Sequence, residues 1–154
     1  WVPDQSEPLQ FAAQLTAPDG LKTMTPVCPN IRLARDHHRV VLYEPHNVPE
    51  NFGVRTGSRK TCQYEIAEQV TRARAARLVL FSWSGAHAEA ICLNDVLLAQ
   101  RAGKVHDYSF DALDVPVEAL KPGLNTFSIY SSSEEHAAEV NWPGPALLVT
   151  YPKE

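Results

Sequence analysis

The chain lacks most signatures from which an activity is read. It carries no G-x-S-x-G elbow, no Walker loop and no Gly-rich dinucleotide motif, so the chemistries those motifs mark have no footing. Cysteine is scarce: Cys28, Cys62 and Cys92 show no C-x-x-C spacing for zinc or redox work, and an odd number leaves at least one thiol unpaired within the chain. Basic charge is sparse, with 14 Lys and Arg against 18 Asp and Glu, a net charge of -4 and no stretch that gathers cations. Nothing tracks a phosphate backbone, so nucleic acid is not an expected partner. No apolar run approaches the roughly 20 residues a membrane-spanning helix needs, so no membrane partner is expected either. The N-terminus lacks the basic start and apolar centre of a signal peptide, and the chain begins at Trp1 without an initiator Met. The expectation is one module, residues 1–154, excised from a larger protein.

A helical stripe is missing too. No i, i+3, i+4, i+7 pattern persists for three turns, whereas 12 prolines and 7 glycines fall mostly between short apolar runs. Leu9, Phe11, Ala13 and Leu15 alternate with polar or small neighbours, as do Cys62, Tyr64 and Ile66, and Ile31 and Leu33 make a shorter version. That is the period of a strand with one buried face. "RVVLYE" from Arg39 and "ARLVLFSW" from Ala76 are continuous apolar runs suited to central strands. "TRARAAR" from Thr71 stays open as a short helix, and His37 and His38 read as a solvated turn with Asp36. "AEAICL" meets Asn94-Asp95, a pair that accepts the positive φ of a tight hairpin, before "VLLA". "YSFDALDVPV" and "NTFSIYS" are joined through Pro122-Gly123. A polar loop ending at His136, a strand reaching Trp142 and a last apolar run close the chain. With 44% hydrophobic content over 154 residues, eight or nine such strands predict one all-β domain, an antiparallel sandwich or barrel.

The succession "ARLVLFSWSGAHAEAICLND" then "FDALDVPVEALKPGLNTFSI" carries a resemblance. With Asn94-Asp95 in place of Asn-Gly, then Phe110, Asp114-Val115 and Leu120-Lys121-Pro122-Gly123-Leu124-Asn125, it resembles the galactose-binding-domain-like β-sandwich. That jelly-roll fold occurs in carbohydrate-binding modules and in accessory domains of glycoside hydrolases and polysaccharide lyases. The resemblance covers roughly the second half of the chain and speaks to fold more than ligand. It implies a non-catalytic module with carbohydrate as partner, a catalytic domain on the same parent chain, and an extracellular or periplasmic location. It also implies a possible structural calcium, for which Glu44, Asn47, Glu50 and Asn51 in "YEPHNVPENFG" are candidates.

If the strands after Lys60 are antiparallel and joined in order, parity sorts the loops between two ends. The Asn94-Asp95 hairpin and the Lys121-Pro122-Gly123 turn fall at one. Ser84 to His87, Ala102 to Tyr108, Ser131 to His136 and Arg55 to Lys60 fall at the other. Loops at one end of a sandwich are a usual place for a site. Sugar binding needs flat rings and planar polar groups, and this end offers Arg59, Trp83, His87, Tyr108, Tyr130, Glu135 and His136. The competing reading puts Trp83, in phase with Phe81 and Val79, and Trp142, near Val140 and Leu147, in the core.

His87, His106 and His136 beside Glu89 and Glu139 raise a zinc or copper site without close ligand spacing. Glu134 with Glu135, or Glu89 with Glu139, would serve glycoside cleavage only at a carboxyl separation that sequence does not show, so no catalytic residue is assigned. Three functions remain: a carbohydrate-binding module, an interaction domain packed on a catalytic neighbour through an apolar patch, and a small metal-dependent carbohydrate-active enzyme.

Overall fold

A computed structural model describes residues 9–11, 14–24, 28–31, 38–142 and 144–153. Ala13 and Leu33, expected in strands, and Asp36 and His37, expected in a turn, lie outside the described residues, as does the thiol of Cys28. The chain divides into two compact units, Trp1–His37 and His38–Glu154.

In the first unit, β1 (Leu9–Phe11) pairs antiparallel with β4 (Cys28–Ile31), and β2 (Gln14–Thr16) with β3 (Lys22–Met24). The β2–β3 turn is written in Pro18-Asp19-Gly20. Gly20 takes φ +86° and the Asp19 carboxylate accepts the Leu21 amide at 3.0 Å.

The second unit is an antiparallel β-sandwich. Its strands are β5 (His38–Tyr43), β6 (Gly53–Val54), β7 (Ser58–Ile66), β8 (Ala75–Trp83), β9 (Ala90–Leu93), β10 (Val96–Ala99), β11 (Tyr108–Val115), β12 (Gly123–Ser131), β13 (Ala138–Val140) and β14 (Ala146–Pro152). One sheet runs β10-β9-β12-β7. The other runs β5-β14-β8-β13-β6, with β11 along the free side of β8. His38 therefore opens a strand rather than a turn. "TRARAAR" makes no α-helix: its first two residues end a 3-10 turn, Val70–Arg72, and its last three open β8.

Alternation fills the core. Leu78 and Leu80 of β8 and Leu147 and Val149 of β14 face Cys62, Tyr64 and Ile66 of β7, Ile91 and Leu93 of β9, and Phe127 and Ile129 of β12, all essentially without exposed surface. Each such large side chain contributes about 1.5–3 kcal/mol of burial. The Tyr64 hydroxyl in this core donates to the Pro145 carbonyl at 2.8 Å, linking the sheets. Burial pushes the Cys62 thiol up to about 12, with a smaller opposing effect from its hydrogen bond to Tyr64. Cys62 and Cys92 are both free and buried.

The structure corrects the core reading of both tryptophans. Residues 78, 80 and 82 point inward, so Val79, Phe81 and Trp83 lie on the outer face and are half-buried there. Trp142 is 89% exposed, because the chain has left β13 before reaching it.

The Asn94-Asp95 hairpin behaves as read, with φ of 49° and 67°. The Asn94 amide donates to the Ala119 carbonyl and to Asn125 Oδ1, both at 2.7 Å, and accepts from the Thr126 amide at 2.9 Å. Asn125, wholly buried, also accepts from the Lys121 amide and donates to the Lys121 and Gly123 carbonyls. The two turns placed together by parity are thus one hydrogen-bonded knot.

Candidate functional site

At the opposite end, hydrogen bonds join the four loops assigned there. Leaving Trp83, the chain turns at buried Ser84, a left-handed residue with φ 50°, into the 3-10 turn Gly85–His87. Ser84 donates its amide to the Asp107 carbonyl at 3.1 Å and accepts the His106 amide on Oγ at 2.8 Å. Ala86 bonds the Lys104 carbonyl at 3.1 Å, and Arg101 bonds the Ala88 carbonyl at 2.8 Å. Gly85 is obligatory here, because a Cβ would collide with the Ala102 carbonyl and the Ser82 hydroxyl. The third loop joins through Ser131 Oγ, which donates to the His87 carbonyl at 2.6 Å, and through the Ser132 amide on the Glu89 carboxylate at 3.1 Å. The fourth joins through Thr56 and Gly57, whose amides donate to the Ser133 and Ser131 carbonyls at 3.0 Å.

Four non-glycine residues in and beside these loops, Thr56, Ser84, Arg101 and His106, hold left-handed φ of 50–59°. Such conformations cost about 1–2 kcal/mol each and cluster where the surrounding structure needs a particular placement. The placement concerns rings. His87 and His106 lie 5.8 Å apart between ring centres, His87 and His136 5.8 Å, and His106 and His136 4.0 Å. His106 and His136 are exposed; His87 is half-buried, and its Nε2 is fully buried without a hydrogen-bond partner.

The sequence-predicted sugar-binding residues separate into three groups. Trp83 and Tyr108 are cross-strand neighbours on the outer face of the larger sheet, ring centres 4.8 Å apart. Arg59 lies over the Tyr130 ring at 5.8 Å and donates to Ser128 Oγ at 3.3 Å. That pair sits on the outer face of the smaller sheet, because residues 127, 129 and 131 of β12 face the core. Trp83 and Tyr130, the two expected platform rings, therefore look away from each other. The third group is the rim: His87 and His136, with Glu135 and His136 lining a surface pocket beside Asn51, Arg55 and Glu139.

Two features escaped sequence reasoning. Phe110 stacks on Phe81 with ring centres 4.3 Å apart and planes at 12°, and Phe81 stacks on Tyr108 at 5.5 Å. A four-ring ladder, Trp83, Tyr108, Phe81 and Phe110, thus runs from the loop-rich end down β8 and β11, with Phe110 75% exposed. The signal was the pairing of "FSW" with "YSF", legible only once their register is known. The second feature is a larger concavity at the lean end, lined by Arg39, Glu68, Gln69, Arg72, Tyr151 and Lys153. There Arg39 lies over Tyr151 at 5.6 Å and pairs with Glu68 at 3.7 Å, while Tyr43 donates to Glu68.

In the loop singled out for calcium, Asn47 Nδ2 donates to Gln63 Oε1 at 2.9 Å and Asn51 Oδ1 accepts the Gly53 amide at 2.9 Å. The Lys60 ammonium donates to the Asn51 carbonyl, so a cationic group already occupies one oxygen there.

No protein-family model matches this sequence, and no curated protein matches it. Among solved structures the chain is similar to part of a β-porphyranase of glycoside hydrolase family 86 from the human gut bacterium Bacteroides plebeius. The TM-score is 0.52 at 10% identity, over 94% of this chain and 29% of that one. It is also similar to part of BuGH86 in complex with neoagarooctaose, with a TM-score of 0.53 at 12% identity over 92% and 27%. The chain spans less than a third of these enzymes, and at such identity the likeness is one of fold: an all-β sandwich that occurs as a portion of larger chains.

Proposed function

We propose that this chain is a non-catalytic carbohydrate-binding module of a larger carbohydrate-active enzyme. It grips a polysaccharide at the loop-rich end, using the outer ring ladder as its platform. The ladder carries the reading. Trp83, Tyr108, Phe81 and Phe110 stack into an apolar ridge on a sheet, with Tyr108 and Phe110 exposed, and a pyranose ring offers an apolar C–H face that packs on exposed ring surface. Polar groups that complement hydroxyls flank it, with Lys104, Ser109 and Asp111 lining the same surface pocket as Phe81, Tyr108 and Phe110. His87, His136 and Glu135 form the rim. Arg59 and Tyr130, on the other face, belong to a separate contact or to none. The parent enzyme would work outside the cytoplasm, where polysaccharides are met.

The fold's occurrence within a β-porphyranase and within an enzyme seen in complex with neoagarooctaose picks the first ligands to try. Purified chain is titrated with agarose- and porphyran-derived oligosaccharides and with a panel of unrelated glycans, with calcium and with a chelator. Selective binding is expected, weakened at least about tenfold by Tyr108→Ala and Phe110→Ala. Loss on chelation would assign a calcium ion to the site. Binding that survives both substitutions would sink the ladder as platform.

A second reading rests on one observation. Val40 and Leu42 of β5, 60% and 55% exposed, project from the same outer face as Phe110. Two exposed apolar side chains on an edge-strand face suit packing against another domain of the parent chain. Val40→Glu with Leu42→Glu should then abolish co-purification with that domain and leave glycan binding unchanged.

A further inference from the structure

We propose that His87, His106 and His136 form a binding site for a divalent transition-metal ion of the zinc, nickel or copper class. The ring centres define a triangle with sides of 5.8, 5.8 and 4.0 Å. A point at its centre is about 3 Å from each of them. An imidazole bound to zinc sits at that distance, about 2 Å from metal to nitrogen and about 1 Å more to the ring centre. The spacing is held by backbone. The three loops are tied through Ser84 to His106 and Asp107, and through Ser131 to His87, and His106 keeps a left-handed φ of 52° to stay in place.

An independent observation points to a ligand. His87 Nε2 is buried, without a hydrogen-bond partner. A buried polar atom left unpaired costs about 1–3 kcal/mol, and a metal ion satisfies an imidazole lone pair directly. As the rings stand their nitrogens do not converge: among the described residues no three or more His, Cys, Asp or Glu form a set that could hold a metal ion. Ring orientation is what differs. His106 and His136 are exposed, so their side chains have room to rotate about fixed backbone, and the proposed site requires that rotation to turn their nitrogens towards His87.

The charges nearby are compatible with a cation. Glu135 and Glu139 share the pocket of His136 with a single Arg55. Three imidazoles select zinc, nickel or copper over calcium and magnesium, which take oxygen ligands. The ion would clasp three loops that are otherwise joined only by hydrogen bonds. This site does not depend on glycan binding, and each is measured without the other.

The test uses the chain freed of any polyhistidine tag, titrated calorimetrically with Zn²⁺ and separately with Ca²⁺. One Zn²⁺ per chain and no Ca²⁺ are expected. Imidazole resonances of His87, His106 and His136 should shift on Zn²⁺ addition while that of His46 stays put. His106→Ala and His136→Ala should each weaken Zn²⁺ binding at least about tenfold and the pair should eliminate it. His87 is left intact because its ring is half-buried. No Zn²⁺ binding at millimolar concentration overturns the proposal. So does unchanged affinity in the double variant, which would place the ion elsewhere.

Discussion

The two ends of the sandwich use the same kind of connection to opposite effect. At the lean end, Asn94 and Asn125 bond each other and the turns around them at 2.7–2.9 Å. At the loop-rich end the backbone is tied as firmly, and Thr56, Ser84, Arg101 and His106 take the left-handed conformation that Asn94 and Asp95 take at the lean end, but here His87 Nε2 is unpaired. In its two turns the lean end uses its asparagines to close itself. The other uses backbone bonds to hold rings and charges outward or unsatisfied, and unpaired polar groups in an otherwise well-bonded structure mark a place where something binds.

The comparison breaks most visibly at Asn125. Asn125→Ala removes a wholly buried amide and strands the Lys121 amide and the Lys121 and Gly123 carbonyls, while Asn94 Nδ2 keeps its bond to Ala119. A loss of about 3 kcal/mol is expected, on the order of 10 °C in Tm for a chain of this size. Thermal unfolding followed by circular dichroism measures it. A loss under about 1 kcal/mol would mean that this knot is replaceable by water.

Next comes Gly85→Ala at the other end. The new Cβ meets the backbone carbonyl of Ala102, so the two loops must part. Destabilisation of about 1–3 kcal/mol is expected, and the same change should weaken both Zn²⁺ and glycan binding. A variant that loses stability but keeps both ligands would separate loop docking from the site.

Between the ends, the core supplies a pH probe. The Cys62 thiol is raised to about 12 in the folded chain by burial, whereas in the unfolded chain it ionises near 8.5. Above that lower value the unfolded state has lost its proton and the folded state has not. Stability is therefore unaffected below about pH 8.5 and falls at up to about 1.4 kcal/mol per pH unit until the folded thiol ionises. Cys62→Ala should make denaturant midpoints less steep in that window. An unchanged slope would show that the folded thiol already ionises at ordinary pH.

Antiparallel pairing and the sorting of loops between ends were legible, because each depends only on alternation and turn residues, whereas the strand count was not: eight or nine were expected and fourteen stand among the described residues, because two- and three-residue strands leave no alternation to read. Parity has a limit, however. It assigns a loop to an end and leaves open the face on which a ring projects. "ARLVLFSW" is apolar at every position, so its phase is invisible, and Trp83 reads as core although Leu78 and Leu80 are what face inward. Tyr130 and Trp83 were grouped by end and prove to occupy opposite faces. Trp142 misleads for another reason: β13 stops at Val140, two residues short of it. The histidine cluster was suggested by parity, but its backbone ties come from Ser84 and Ser131, which nothing in the sequence distinguishes from other loop serines.

The smallest effect sharpens the comparison most, because its sign differs between fold and function. His106 holds φ 52° with an exposed ring. Glycine takes that conformation without steric cost, and its backbone bond to Ser84 is retained because the donor is the His106 amide. Against this stand the greater freedom of glycine when unfolded and the loss of the ring contact with His136 at 4.0 Å. The net expectation is a gain of about 0.5 kcal/mol, a Tm rise of about 1–2 °C, together with weakened Zn²⁺ binding. At a turn whose only task is to reverse the chain, the residue that relieves strain would be no worse than the native one. A Tm rise with loss of the ion would identify His106 as a residue held at some cost for its ring. A fall in Tm with Zn²⁺ affinity intact would return this end of the sandwich to the same standing as the other, a connection and nothing more.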